Sequence, residues 1–127
     1  MAITGNVVRG SIVWLNLYPN AGNEQSGYRP ALVVSDGLID SQISNLSIVV
    51  PLTSKVKGYA FEVPVPANIP INGSLVGNSY TELAGVALTD HVKSLDLAAR
   101  NATVIGHVEP SSAFYTQVVS YVRAILA

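Results

Sequence analysis

Hydrophobic positions along this 127-residue chain fall in short β-rich runs set apart by turn residues. Ser11–Tyr18 (SIVWLNLY) partly alternates, dividing Ile12, Trp14, Leu15 and Leu17 between two buried faces, and Pro19-Asn20-Ala21-Gly22 ends it. Arg29–Ser35 reads as a second strand around the apolar Ala31-Leu32-Val33-Val34, and Leu46–Thr53 (LSIVVPLT) as a third. Pro51 inside that third run marks an edge or a bulge, because proline cannot donate to a ladder. Ala60–Val65, Gly85–Thr89 and Ala102–Val108 read as further strands. Between them Pro66–Leu83, rich in Asn, Gly, Pro and Ser, reads as a long surface excursion with a strand around Ser74–Val76. Val92–Arg100 suits a short helical turn, with Asp96 and Arg100 at i,i+4.

The C-terminus predicts one helix. Pro110 suits its first position, Ser111 and Ser112 its opening turn, and Phe114, Val118, Tyr121, Val122 and Ile125 share a face. That face packs on the sheet or at a dimer seam. The pattern as a whole predicts a single domain over residues 1–127: mainly β, a compact antiparallel sheet or small barrel with a C-terminal helix.

Composition sharpens this picture in three ways. Charged residues make up 12% and hydrophobic residues 49%, so part of the surface is expected to be covered by a second subunit or another partner. A net charge of −1 excludes a diffuse basic field, so any nucleic-acid contact must be local. The cations available are Arg9, Arg29, Lys55, Lys57, Lys93, Arg100 and Arg123. Without cysteine there is no disulfide scaffold, thiolate metal site or thiol nucleophile. No apolar stretch reaches the roughly 18 residues of a membrane span, and no signal-like run opens the chain; a cytoplasmic protein is the expectation.

The most informative segment is Gly22–Ser35, GNEQSGYRPALVVS. Pro30 pushes Arg29 into an extended conformation at the mouth of a strand, and Glu24 lies just across a Gly-containing loop. An arginine so placed can grip a phosphate. The plainer reading is a surface ion pair worth roughly 0–1 kcal/mol.

Read in order, RGSIVWLNLYPNAGNEQSGYRPALVVS, VVPLTSK, FEVPV and GVALTDHVKSLDLAAR resemble the MazF/PemK-type toxins over about residues 9–126. The resemblance implies a homodimer built on an SH3-like barrel of the MazF/PemK/CcdB type. It implies a sequence-specific, ribosome-independent endoribonuclease that prefers single-stranded RNA and is held inactive by a labile MazE-like antitoxin. It further implies cleavage without metal or other cofactor, leaving a 2′,3′-cyclic phosphate and a 5′-hydroxyl.

Such chemistry needs a base for the 2′-proton, a stabiliser for the phosphorane charge and help for the leaving oxygen. Arg29 matches the family's catalytic arginine in G-x-R-P; its planar guanidinium suits charge on equatorial oxygens and scarcely deprotonates. Thr53 matches the threonine of the P-L-T-S block, where a hydroxyl can donate to a non-bridging oxygen, with Ser54 a weaker companion. Glu24 is either the general base or a group that orients Arg29. Asn23, Gln25 and Tyr28 share its loop and are expected to flank the substrate. Lys55, Lys57, Tyr59 and Phe61 alternate cations with aromatics directly after Thr53, which suits a single strand; the plainer reading is a solvated hairpin turn.

Asp90 aligns with an aspartate that PemK-like members use as base, and His91 beside it could line the groove. Leu88 and Asn23 replace the arginine and histidine of that acid/base set, which favours the Arg29/Thr53 pair. His107 and Trp14 read as structural. The runner-up is a CcdB-like, non-enzymatic toxin that poisons DNA gyrase. Such chains end in Trp-Gly-Ile, whereas this one ends Arg-Ala-Ile-Leu-Ala. Pro66–Leu83 is longer than in the family pattern and could extend the substrate groove, the dimer edge or the antitoxin contact.

Overall fold

β-Branched runs dictate the centre of the molecule, seen here in a computed structural model that describes residues 2–17 and 27–126. The strands are β1 (Ser11–Asn16), β2 (Tyr28–Val33), β3 (Leu46–Thr53), β4 (Glu62–Pro64), β5 (Val86–Leu88), β6 (Lys93–Asp96) and β7 (Thr103–His107), followed by one helix, α1 (Ala113–Leu126). All strand pairs are antiparallel, in the order β4-β5-β3-β2-β1-β7 with β6 also on β3. No ladder joins β4 to β7 among the described residues, so the expected architecture takes its open-sheet form.

Neighbouring positions on β1 point to opposite faces, and both faces are buried. Ile12, Leu32, Val50, Leu52 and Ile105 pack with Phe114, Tyr115, Val118 and Val122 of α1. Val13, Leu15, Ala31, Val33 and Val49 pack with Leu95, Leu97 and Ala102 on the other side. This is why β1 to β3 read as nearly continuous apolar runs rather than clean alternation.

Pro51 sits where β3 changes partners. On one edge Leu46–Val49 pairs with β6, while Leu52 and Thr53 pair with β5. Pro51 falls in the gap between those ladders, where its missing N–H costs nothing.

Three local expectations are corrected. Lys93–Asp96 is a strand, not a helical turn, because it completes a ladder with Leu46–Val49 that buries Leu95; only 97–101 turns, with the Asp96 carboxylate accepting from Ala99 N at 2.9 Å. Gly73–Val76 is a 3₁₀ turn rather than a strand, closed by Leu75 N donating to the Asn72 carbonyl at 3.3 Å. The helix starts at Ala113, not Pro110, because Ser112 Oγ accepts from Tyr115 N at 3.3 Å and caps it there. No described helix is long and apolar enough to cross a membrane.

Tyr115 couples the helix to the sheet: its hydroxyl donates to the Val34 carbonyl at 3.1 Å. Burial pushes its pKa above the ordinary 10.0. A group raised in this way favours the folded state fully below the unfolded pKa, and its contribution fades as pH climbs through the raised folded value. Urea midpoints are therefore expected to fall as pH rises past 10.0 more steeply in the wild type than in Tyr115→Phe. Equal slopes would detach Tyr115 from alkaline stability.

Candidate active site

Two antiparallel strands bring the chemistry together. Arg29 is the second residue of β2, half-buried, and its backbone is in register with Leu15 of β1. Thr53 ends β3, is buried, and lies opposite Val86 of β5. Both residues line one open cavity of about 250 Å³, together with Trp14, Pro30, Ser54 and Leu52. The pair expected from the sequence thus shares a site although 24 positions separate its members (53 minus 29).

The hydroxyl of Thr53 is aimed by the loop that follows. Lys55 N donates to Thr53 Oγ1 at 3.2 Å, which leaves the threonine its own proton to donate. A second depression opens on the other side of Thr53. It is lined by Lys55, Lys57, Tyr59, Glu62, Asp90 and His91. Thr53 thus stands between an arginine-bearing cavity and one walled by lysines.

The lysine loop is built rather than loose. The Glu62 carboxylate accepts from Lys57 N at 3.2 and 3.3 Å and from Gly58 N at 2.9 Å. Lys57 Nζ lies 5.9 Å from the Tyr59 ring centroid, within cation–π range. Tyr59 and Tyr28 are exposed and offer stacking faces. Phe61 instead meets Tyr121 of α1 edge-on, ring centroids 6.3 Å apart, and lines neither depression.

Asp90 and His91 lie in a 3₁₀ turn, Thr89–His91, directly after β5. His91 Nε2 is 3.8 Å from Asp90 Oδ1, and His91 Nδ1 is buried without a hydrogen-bond partner among the described residues. His107 lies on β7, its Nε2 3.2 Å from the Arg9 carbonyl oxygen, away from both depressions. Glu24, Asn23 and Gln25 lie outside the described residues.

Sequence reasoning missed four contributors. Glu62 fastens the lysine loop, and Asn78, Tyr80 and Glu82 wall the Arg29 cavity. Trp14, read as core, is only half-buried and lines that cavity while also packing on the core. Its pairing with Pro30 across β1–β2 was the signal that could have placed it there.

Residues 8–126 match the model of the PemK-like, MazF-like toxins of type II toxin–antitoxin systems. The chain is 38% identical over 101 residues to the endoribonuclease toxin MazF of Escherichia coli strain K12, covering 80% of this chain and 78% of that one. The structure superposes on MazF of Deinococcus radiodurans with a TM-score of 0.77 at 34% identity, covering 96% and 97% of the two chains. It resembles the toxin in a MazE–MazF complex from the same organism with a TM-score of 0.72 at 29% identity, covering 97% of each. These matches favour the first of the two classes raised by the sequence over the gyrase-poisoning one. With 119 of its residues (8 to 126 inclusive) under that model, this chain belongs to the PemK/MazF family of type II toxin–antitoxin toxins.

Proposed function

We propose that this protein is a ribosome-independent endoribonuclease toxin that cleaves single-stranded RNA and is neutralised by a MazE-like antitoxin. The observation that carries the reading is the shared cavity of Arg29 and Thr53, in a chain 38% identical to an endoribonuclease. A phosphodiester seated there meets the guanidinium fork on one non-bridging oxygen and the 5′-ester oxygen, and the threonine hydroxyl on the other non-bridging oxygen. Both donors strengthen as charge builds on the phosphorane, so they favour the transition state over the substrate.

Glu24 either takes the 2′-proton or orients Arg29. Lys55 and Lys57, across Thr53, hold the adjoining phosphate, and Asp90 and His91 floor that side of the groove. The reaction leaves a 2′,3′-cyclic phosphate and a 5′-hydroxyl. The protein acts as a homodimer in the cytoplasm, and the dimer covers part of the surface left by a charged fraction of 12%.

The test is to incubate purified protein with long unstructured RNA in EDTA and map the cut ends. Cuts at one short sequence with 5′-hydroxyl ends are expected. Activity that stops with EDTA and returns with Mg²⁺ would overturn the metal-free mechanism, and intact RNA would overturn the nuclease reading altogether.

A further inference from the structure

The excursion between β4 and β5 forms a built wall of the Arg29 cavity. Two of its segments face each other: Ile71 N donates to the Thr81 carbonyl at 3.0 Å, Gly73 N to that of Tyr80 at 2.9 Å, and Leu83 N to that of Ile69 at 2.9 Å. The pair is tied to the sheet by Asn72 N, which donates to the Ile105 carbonyl at 2.7 Å, and by a bridge between Ile71 and Gly106. Its tip is tight. A Cβ on Gly73 would stand 1.9 Å from Asn78 Oδ1 and 2.5 Å from the Tyr80 carbonyl oxygen, so any side chain there displaces both.

This scaffold presents three side chains to the cavity beside Arg29 and Thr53: Asn78, Tyr80 and Glu82. Tyr80 is 62% exposed although its backbone is held at both ends, by Gly73 N and by Asn78 Oδ1 at 3.0 Å. A rigid aromatic standing in solvent is a poor core residue and a good stacking face. The Asn78 amide oxygen is committed to Tyr80 N, so its Nδ2 donors are what it offers the cavity. Glu82 Oε1 accepts from Asn68 N at 2.5 Å, so Oε2 supplies an acceptor. Apolar surface from the half-buried Trp14 and Ile71, an aromatic plate and one donor–acceptor pair match a nucleobase, which has flat apolar faces and a polar edge.

We propose that this wall is a nucleobase subsite: Tyr80 stacks the base next to the scissile phosphate, and Asn78 with Glu82 reads its edge. The inference rests on the nuclease reading above and adds where its sequence preference resides. Stacking on one aromatic is worth about 1–3 kcal/mol by alanine substitution, so Tyr80→Ala raises KM for RNA about 5- to 160-fold. Its kcat falls far less, because Arg29 and Thr53 remain in place. Tyr80→Phe keeps the ring and recovers the lost affinity, and Glu82→Gln changes the preferred base at a single position of the cut site.

The experiment is end-mapping and KM/kcat measurement on a randomised single-stranded RNA in EDTA, for wild type and the three variants. A KM effect in Tyr80→Ala rescued by Tyr80→Phe, with a one-position change in Glu82→Gln, supports the subsite. Active wild type with unaltered KM and cut-site profile in all three variants overturns it while sparing the nuclease reading. Inactive wild type overturns both.

Discussion

Arg29→Ala is expected to lower kcat for RNA cleavage by about 10²–10³-fold, the usual cost of one preorganised charge-stabilising donor. The effect lies in kcat because the guanidinium is aimed at charge that exists only as the phosphorane forms. Arg29 belongs to neither core cluster, and its backbone stays in the β1–β2 ladder whatever the side chain. The thermal midpoint of the variant therefore stays near wild type. Arg29→Lys restores the charge but not the two-pronged geometry and is expected to recover only part of the rate. Single-turnover cleavage with a parallel thermal melt checks both points. Wild-type kcat in a folded Arg29→Ala protein would remove this residue from the mechanism.

That Arg29 and Thr53 share a cavity was legible because each sits in a local pattern with a local consequence. Pro30 forces Arg29 into a strand, and the run Leu46–Thr53 starts and stops where its sequence says it should. What was not legible depended on distant partners. Val92–Arg100 carries Leu95 and Leu97 at strand spacing, yet the i,i+4 spacing of Asp96 and Arg100 pointed the other way. Pairing with β3 decided it for Lys93–Asp96. Likewise nothing in Pro66–Leu83 signals that Asn78, Tyr80 and Glu82 face Arg29. That follows from the contacts of Ile71 and Asn72 with Gly106 and Ile105, more than 30 positions away. The strand expected at Ser74–Val76 failed for the same reason: the extended pairing lies on either side of it, and the turn between needs the 3₁₀ geometry.

Gly85→Ala is expected to damage the site from behind. Gly85 precedes β5 at φ +98°, and a Cβ there would stand 2.0 Å from the Thr53 carbonyl oxygen, 2.7 Å from its carbonyl carbon and 2.8 Å from Ser54 Cα. These are backbone atoms at the end of β3 and of the residue after it, and they cannot swing aside as a side-chain tip would. Positive φ alone costs of order 1–3 kcal/mol for a residue with a Cβ. The contact adds to it by pushing β3 from β5 where Thr53 pairs with Val86. A stability loss of about 3 kcal/mol or more is expected, with cleavage reduced even at temperatures where the variant is folded, because Thr53 Oγ1 moves relative to Arg29. Gly58→Ala is the control. Gly58 also has positive φ, +75°, but a Cβ there meets nothing within 4 Å, so it bears only the conformational cost. Urea unfolding and kcat on both variants separate the two contributions. If Gly85→Ala matched Gly58→Ala in both measurements, close packing of Gly85 on Thr53 would have no part in holding the site. If it alone lost activity while still folded, the position of the Thr53 hydroxyl would depend on a residue that never touches the substrate.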